Sequence, residues 1–252
     1  MFMLSGDTIS MKKMESFDFP VGRRLAGKYI IQEKLGSGWE GEVYQVQEIH
    51  TNIVRAAKLF YPHRNIKFKR STRFAKKLDL LADCSMVMNY HTQEIIKVKG
   101  QDIVCIICEF IEGEMLSKIL DRQRGKRLPD FQALHLLYAL AKGIESIHLY
   151  GEYHGDLHTD NIIVRRYGLG FDIKVIDLHH WGDSKKDNRE EDIIKMIRVF
   201  YDALGGEKFY KKQPAAVKSI IKGLKRSLIL KEFKTASLLR WHIENLDWED
   251  GN

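Results

Sequence analysis

Long apolar runs, cysteine and proline are all scarce in this sequence of 252 residues. No run of about 18 apolar residues occurs, so no membrane-spanning segment is predicted, and the opening residues 1–4 are too short for a secretory signal. The 3 cysteines, Cys84, Cys105 and Cys108, do not form the two spaced pairs of a cysteine metal site or of a disulfide framework. We therefore predict a cytoplasmic protein with reduced core thiols and no membrane association; the sequence indicates no oligomeric state.

Acidic residues are rare in one stretch where basic residues are dense. Residues 62–90 contain only two acids, Asp79 and Asp83, whereas residues 64–77 contain seven lysines and arginines. The spacing predicts a basic helix, whose charged face is either simply solvated or contacts an anionic partner. The net charge of +7 is compatible with such a partner but does not name it.

The order of patterns separates a strand-rich part from a helical part. Apolar residues alternate with polar ones after Pro20 and adopt helical spacing after Gly113. We predict an α+β, two-lobed chain: a flexible leader at 1–20, a small antiparallel sheet lobe at 21–108, a connector at 109–113 and a compact, mainly helical lobe at 114–252, with a cleft between the lobes. The predicted strands cover residues 29–35, 42–47, 53–60, 94–99 and 103–110, and the predicted helices cover 62–81, 129–151, 190–204 and much of the stretch after 214.

The stretch 154–177 contains the polar groups of a phosphoryl-transfer site. Asp156 and Asn161 lie on a loop that leads into one apolar strand, and Asp177 ends the next apolar strand. A β-hairpin turning at 168–170 would bring these three side chains together. Clustered carboxylates are unfavourable without compensation, and a Mg²⁺ ion that also binds triphosphate oxygens provides it. The histidines nearby lack a ligand pair on one helix, so zinc is not predicted.

A glycine-rich motif precedes this stretch and gives the order of motifs its meaning. It reads Leu35-Gly36-Ser37-Gly38-Trp39-Glu40-Gly41-Glu42-Val43-Tyr44, and Ala56-Ala57-Lys58 follows on the third predicted strand. Glycine permits close approach of backbone to phosphate oxygens and positive φ angles. With the 154–177 motif downstream, the chain resembles the protein kinase-like superfamily over roughly residues 28–245.

The resemblance implies a role for each matched residue. The strand lysine pairs with the α- and β-phosphates of ATP, Asp156 accepts or orients the proton of the acceptor hydroxyl, and Asn161 and Asp177 bind Mg²⁺. Backbone groups of the connector hold the adenine edge, and apolar side chains sandwich the ring. The implied catalytic residues are Lys58, Asp156, Asn161 and Asp177; the implied ATP-site residues are Gly36, Gly38, Gly41, Val43, Ala56, Lys58, Cys108, Glu109, Ile111 and Ile163.

The sequence departs from the eukaryotic-type pattern beside the strand lysine and after the metal-binding aspartate. The helix glutamate that pairs with that lysine should fall near Lys76 or Lys77 and is missing. Either Asp79 or Asp83 replaces it, or Lys58 serves the phosphates alone. The motif D-F-G is replaced by Asp177-Leu178-His179, which keeps the metal ligand and loses the glycine.

The catalytic loop departs further. Gly155 replaces the arginine of H-R-D, and His158 replaces the lysine of Ser/Thr protein kinases, so the loop is similar to that of aminoglycoside and other small-molecule phosphotransferases. Only 14 residues separate Asp177 from Asp192, the residue implied to hold the loop backbone. No A-P-E motif follows, so little of a peptide-binding platform is predicted.

These features predict an ATP- and Mg²⁺-dependent kinase that transfers the γ-phosphate to a hydroxyl, with Ser/Thr of a protein as the favoured acceptor. A hydroxylated small molecule of aminoglycoside or metabolite type is the first alternative, because of the catalytic loop. A nucleotide-binding pseudokinase scaffold is the second, because of the missing glutamate and the altered D-F-G. The sequence does not name the acceptor.

Overall fold

The computed structural model describes residues 13–167, 170–182 and 184–246, and it leaves the side chains of 166 and 167 undescribed. The chain forms two compact units. The first unit comprises the described residues up to Thr72 together with His91–Cys108; the second comprises Arg73–Tyr90 and the described residues from Glu109 onward.

The first unit is built on a six-stranded sheet, in the order β1-β2-β3-β4-β6-β5. The pairs β1–β2, β2–β3 and β3–β4 are antiparallel. Side chains alternate between the faces, so Tyr44, Val46, Ala57 and Leu59 are fully buried on one face. The strands are β1 (Arg24–Leu25), β2 (Tyr29–Ser37), β3 (Gly41–Glu48), β4 (Val54–Phe60), β5 (Tyr90–Val98) and β6 (Gln101–Glu109).

The prediction of a flexible leader at 1–20 is wrong for residues 13–20, and residues 1–12 lie outside the described part. Met14 and Phe19 are buried in the core of the first unit. The Phe19 ring stacks on Tyr44 with centroids 5.8 Å apart, and the backbone N–H of Phe17 donates to the buried Glu42 carboxylate at 3.0 Å. Apolar burial and this carboxylate therefore hold the segment on the sheet.

The predicted helix at 62–81 begins later than expected. A 3₁₀ turn at Ile66–Phe68 precedes α1, which spans Lys69–Leu80. The Asn65 side chain accepts hydrogen bonds from the backbone N–H groups of Arg70 and Ser71, both at 3.1 Å, and so satisfies two free donors of the first helical turn.

The second unit is mainly helical and contains one small sheet in the order β7-β8-β9. Gly113 permits this sheet, because a Cβ at this residue would lie 2.6 Å from the carbonyl oxygen of Val164. The predicted turn at 168–170 involves residues 168 and 169, which lie outside the described residues. The elements are β7 (Glu114–Met115), α2 (Leu116–Arg122), α3 (Asp130–Leu149), β8 (Ile162–Tyr167), β9 (Phe171–Val175), α4 (Lys185–Ala203), α5 (Glu207–Tyr210), α6 (Ala215–Ile221), α7 (Arg226–Glu232) and α8 (Ala236–Glu244), with 3₁₀ turns at Thr159–Asn161 and Lys222–Leu224.

The predicted α+β class is confirmed: an antiparallel, sheet-rich unit and a mainly helical unit. One helix starts earlier than predicted, since α4 begins at Lys185 rather than at 190, with the Ser184 hydroxyl as its N-cap. Among the described residues, no helix is both long and apolar enough to span a membrane.

Candidate active site

The glycine-rich hairpin connects β2 and β3. None of Gly36, Gly38 and Gly41 adopts a positive φ angle, so that reason for glycine is wrong here. A Cβ on Gly41 would lie 1.8 Å from the carbonyl oxygen of Leu59, so glycine is needed for β4 to approach. At Gly36 and Gly38 an added Cβ would have no neighbour within 4 Å, which leaves this backbone open to a ligand.

Three predicted nucleotide contacts share one face of the sheet. Val43 pairs with Lys58 across β3 and β4, and Gln45 pairs with Ala56 two residues along. Directly paired residues point to the same face. Val43, Ala56 and Lys58 are therefore opposite the buried core face, and each is partly exposed. This face combines apolar surface for a ring with one ammonium group.

Glu40 is a neighbour of Lys58 that the sequence analysis missed. Its Oε2 lies 3.3 Å from the Lys58 Nζ, and its Oε1 accepts a hydrogen bond from Arg70 Nη1 at 3.0 Å. The alternative carboxylates, Asp79 and Asp83, are both exposed. The structure thus offers Lys58 a carboxylate from the glycine-rich hairpin.

The predicted adenine-edge residues begin at the end of β6. Cys108 is buried, and the Glu109 backbone N–H donates to the carbonyl of Asn89 at 2.8 Å. The Glu109 carboxylate accepts a hydrogen bond from Lys174 Nζ at 3.0 Å, so this side chain is already engaged within the protein. An adenine contact at Glu109 therefore falls to its carbonyl oxygen. Ile111 is buried, and Ile163 on β8 is partly exposed.

Asp192 on α4 holds the backbone of the catalytic loop. Its carboxylate accepts backbone hydrogen bonds from His154 at 2.7 Å and Gly155 at 2.9 Å, and it lies 3.1 Å from His148 Nε2. The aspartate is 1% exposed, so the hydrogen bonds are shielded from water. The predicted role of Asp192 as the residue that holds the loop backbone agrees with these contacts.

His154 is a structural residue of the loop. Its Nε2 lies 3.0 Å from the carbonyl of Ile176, and its Nδ1 accepts from the backbone N–H of Asp156 at 3.2 Å. Complete burial lowers the pKa of His154, which favours a neutral ring that donates through Nε2. The same ring therefore connects the residue before Asp177 to Asp156.

Asp156 and Asn161 lie together at the end of this loop. The Asn161 Nδ2 donates to the Asp156 carbonyl at 2.8 Å, and His158 Nε2 lies 3.7 Å from Asp156 Oδ2. The Asp156 side chain is 47% exposed, so its carboxylate can meet an external molecule. His158, which replaces the lysine of Ser/Thr protein kinases in the sequence, thus lies beside Asp156.

Asp177 follows β9 and adopts φ +56°, a left-handed conformation that is strained for a residue with a Cβ. Backbone hydrogen bonds of residues 176 and 179 hold it there. The Ile176 N–H donates to the Asn161 carbonyl at 3.0 Å, and the His179 N–H donates to the His154 carbonyl at 2.8 Å. The segment 154–177 therefore brings Asp156, Asn161 and the backbone of Asp177 into one hydrogen-bonded arrangement, as the motif predicts.

Lys77 contradicts the prediction that it belongs to a solvated basic face, because it is 7% exposed. Its Nζ donates to the His179 carbonyl at 2.8 Å, lies 4.1 Å from the centroid of the Tyr153 ring and is 3.9 Å from Glu152 Oε2. Burial lowers the pKa of Lys77 to about 8. Lys77, one of the two residues near which the resemblance places the missing glutamate, is thus a buried cation that fixes the chain following Asp177.

Trp181 is a second residue that the sequence analysis missed. Its indole N–H donates to the Gly155 carbonyl at 2.6 Å, and its backbone N–H donates to the Tyr153 hydroxyl at 3.2 Å. Gly155 itself adopts φ +87°, and a Cβ on it would lie 3.0 Å from the Tyr153 ring and 3.1 Å from the His179 carbonyl oxygen. The short segment after Asp177 therefore packs on the catalytic loop.

The oxygen donors of the loop fit Mg²⁺. The Asn161 amide nitrogen donates to the Asp156 carbonyl, so its Oδ1 is the atom of this side chain that can bind a metal, and Asp177 has a carboxylate. Mg²⁺ binds one or two such oxygens together with phosphates and water. Within the described ranges, no group of three or more His, Cys, Asp or Glu side chains is placed to hold a metal ion.

Comparisons with known proteins agree with this geometry. The chain is 29% identical to the serine/threonine-protein kinase pkn2 of Myxococcus xanthus over 61% of its length, and 30% identical to the probable serine/threonine-protein kinase YbdM of Bacillus subtilis over 62%. It spans 18% of the first relative and 60% of the second. Crystal structures of the PknI kinase domain of Mycobacterium tuberculosis match with TM-scores of 0.63 and 0.65, at 17% and 18% identity, over 90% of this chain and 97% and 98% of theirs.

The profile of the protein kinase domain matches residues 29–210, a range that contains the glycine-rich hairpin, Lys58, the catalytic loop and Asp177. The solved structures share the fold, and the profile covers most of the chain. This chain belongs to the protein kinase family.

Proposed function

We propose that the chain is an ATP- and Mg²⁺-dependent kinase that transfers the γ-phosphate to a serine or threonine hydroxyl of a protein. The observation that carries this proposal is the catalytic loop. The buried Asp192 carboxylate accepts hydrogen bonds that fix the backbone before the half-exposed Asp156. A fixed carboxylate that is open to an incoming hydroxyl is what general-base assistance needs. The names of the related kinases support a protein acceptor.

Residues of the first unit are proposed to bind the nucleotide. Lys58 pairs with the α- and β-phosphates, and the open backbone at Gly36 and Gly38 approaches phosphate oxygens. Gly41 permits the close packing of the hairpin on β4. Val43 and Ala56 face one side of the adenine ring, with Cys108 at the back of the pocket.

Residues of the second unit are proposed to contact the other parts of ATP and to perform the transfer. The Glu109 carbonyl and the Ile111 backbone bind the adenine edge, and Ile163 contacts the ring. Asp156 orients the acceptor hydroxyl and takes its proton. Asn161 and Asp177 hold Mg²⁺, which neutralises charge on the phosphates when it is bound.

A hydroxylated small molecule is the second candidate acceptor, favoured by one specific observation. Because α4 begins at Lys185, only residues 178–184 separate it from Asp177, and Trp181 packs that segment onto Gly155. This leaves little chain to carry a peptide. An acceptor screen with generic proteins and a panel of hydroxylated metabolites, using γ-labelled ATP, separates the two candidates by which class becomes labelled.

Substitution of Asp156 tests the enzyme itself. Asp156→Asn keeps the shape and removes the base, so turnover should fall by about 10²-fold or more while Mg-ATP binding stays near wild type. Asp160→Asn, a change of an exposed aspartate on the same loop, is the matched control and should leave turnover unchanged. Wild-type chain that binds Mg-ATP but labels neither itself nor any acceptor would instead be a nucleotide-binding pseudokinase scaffold.

Lys58 tests the nucleotide site. Lys58→Met removes a largely shielded cation from the proposed phosphate contact, so a thermal-shift titration should show weaker stabilisation by Mg-ATP. Lys97→Met, at an exposed lysine of the same sheet, should leave that stabilisation intact. If wild type is not stabilised by Mg-ATP at all, both the kinase and the nucleotide-scaffold proposals are wrong.

The basic stretch 64–77 is proposed as a contact for an anionic partner through its exposed members, Lys67, Lys69, Arg73 and Lys76. Affinity should then fall steeply with salt, as phosphate or carboxylate neutralisation predicts. Arg73→Glu combined with Lys76→Glu should abolish binding to an immobilised polyanion, whereas Lys97→Glu should not. If binding does not depend on salt, or if no binding occurs, the basic face is simply solvated and contacts no anionic partner.

A reduced, cytoplasmic setting is also proposed. Cys84, Cys105 and Cys108 are buried and form no disulfide, and burial raises the pKa of Cys84 and of Cys105. Thiols in this state are unreactive in a reducing compartment. Localisation of a tagged full chain by microscopy or cell fractionation tests this setting directly.

A further inference from the structure

The strand lysine of this chain has a local carboxylate partner. Lys58 Nζ and Glu40 Oε2 are 3.3 Å apart, and the side chains are only 12% and 21% exposed. The ammonium of a lysine is carried on a flexible four-carbon side chain, so it needs a fixed anion to stay in one place. Glu40 belongs to the glycine-rich hairpin, next to the backbone proposed to approach phosphates.

Glu40 is itself fixed from two further directions. Its Oε1 accepts from Arg70 Nη1 at 3.0 Å, and its backbone carbonyl accepts from the Tyr61 N–H at 2.9 Å. The neighbouring Trp39 ring lies close to two guanidinium groups, with Arg64 Cζ at 4.1 Å and Arg70 Cζ at 4.6 Å from its centroid. The carboxylate thus connects strand β4 to the first turn of α1.

The charges along this connection alternate in sign. Lys58 and Arg70 are cations on either side of one carboxylate, so Glu40 keeps a compensating charge even when a triphosphate draws Lys58 toward itself. A carboxylate bound to Lys58 alone would instead be repelled by the phosphates and would compete with them. Because Arg70 is present, the Glu40 carboxylate can position Lys58 instead of competing with the phosphates for it.

We propose that Glu40, anchored by Arg70, positions Lys58 for the triphosphate. In this chain the helix contributes the cation of the link, and the hairpin contributes the carboxylate. The inference rests on the proposed nucleotide-binding function, and it assigns a positioning role to two residues outside the family motif for this pair.

The test compares the Mg-ATP Kd and the kcat and KM of variants at matched folded fractions. Glu40→Gln should lower kcat/KM for ATP by about 10-fold or more, and Glu40→Asp, which keeps the charge on a shorter side chain, should lower it less. Arg70→Ala should lower it several-fold, whereas Arg70→Lys should retain most of it because the cation remains. Glu33→Gln and Arg24→Ala, at exposed residues of the same unit, are the charge-matched controls and should behave as wild type.

Non-additivity distinguishes positioning from a general loss of stability. If Glu40 and Arg70 act on Lys58 as one link, Glu40→Gln combined with Arg70→Ala should be no worse than Glu40→Gln alone. Tighter Mg-ATP binding by Glu40→Gln with unchanged kcat would show that Glu40 competes with nucleotide and would overturn the inference. Glu40→Gln equal to Glu33→Gln would overturn it as well. Failure of wild type to bind Mg-ATP would be a failure of the proposed function, visible before any variant is made.

Discussion

Asp192 holds the catalytic loop through hydrogen bonds to a fully buried carboxylate, whereas Glu40 connects the glycine-rich hairpin to α1 through ion pairs of partly exposed side chains. Buried bonds of the first kind are costly to leave unmade, and partly exposed ion pairs of the second kind are weak and screened by salt. The catalytic loop is thus organised before any ligand arrives. The hairpin can rearrange as ligand binds, with only a small change in free energy.

Removal of the Asp192 carboxylate is the most severe way to break this contrast. Asp192→Ala leaves the backbone N–H groups of His154 and Gly155 buried without their acceptor, so unfolding free energy should fall by about 3–5 kcal/mol. Turnover should be lost with it. Denaturant unfolding and phosphate transfer measure the two effects. Asp187→Ala, at an exposed aspartate of the same helix, should cost less than about 1 kcal/mol; equal losses would contradict the role of Asp192.

Phe19 tests whether residues 13–20 are firmly attached to the sheet of the first unit by buried contacts. Phe19→Ala removes a ring that contacts Tyr44 and Arg23, and should destabilise the chain by about 3 kcal/mol. Val21→Ala, at a side chain that is 70% exposed, should stay within about 0.5 kcal/mol. Similar values for both variants would mean that residues 13–20 are loosely attached after all.

Lys77 is a buried charge beside the catalytic loop, so the pH dependence of stability tests how strongly this region is shielded from water. The groups that face it are the carboxylates of Glu152 and Asp192 and the ammonium of Lys185. Its folded pKa of about 8 lies below its ordinary 10.5, so between these values the unfolded chain binds the extra proton and stability rises with pH. The rise should approach roughly 3 kcal/mol relative to Lys77→Met.

Denaturant unfolding at pH 7 to 10 measures this effect as the difference between wild type and Lys77→Met. Lys76→Met, at the exposed neighbouring lysine, should show the pH profile of wild type. A wild-type profile parallel to that of Lys77→Met would mean that Lys77 keeps an ordinary pKa.

Ser184 gives the smallest expected effect and tests whether the catalytic loop needs a phosphate switch. Gly155 carries no charge for a phosphate to neutralise, and the Ser184 hydroxyl caps α4. Phosphatase treatment should therefore leave kcat/KM unchanged, and Ser184→Ala should cost about 1 kcal/mol of stability through the lost cap. A large drop in activity after phosphatase treatment would reveal a phosphate switch.

The sequence predicts the catalytic loop well because its contacts are short in range or follow a fixed motif. Asp156, Asn161 and Asp177 are brought together by the pairing of β8 with β9 and by hydrogen bonds within the motif itself. Asp192 could be identified because its position follows the motif. The strands could be predicted for the same reason, since alternation of apolar residues is a local signal.

Glu40 and Lys77 were missed because their partners are distant in sequence and are selected by packing. A glutamate in a glycine-rich loop carries no sign of the strand lysine that it contacts. Lys77 had a signal: it shares a helical stripe with the buried Phe74, Leu78 and Leu81, although the surrounding basic residues indicate solvent. For residues 13–20, the corresponding signal of burial is the aromatic pair Phe17 and Phe19 just before Pro20.

The position of Trp39 has an optical consequence. An indole close to two guanidinium groups at the tip of the glycine-rich hairpin has an emission that depends on those charges and on its contact with water. Any movement of the hairpin that separates Trp39 from Arg64 and Arg70 should therefore change its fluorescence intensity and wavelength. The chain contains an intrinsic reporter of hairpin opening, which stopped-flow fluorescence can follow in real time without an added dye.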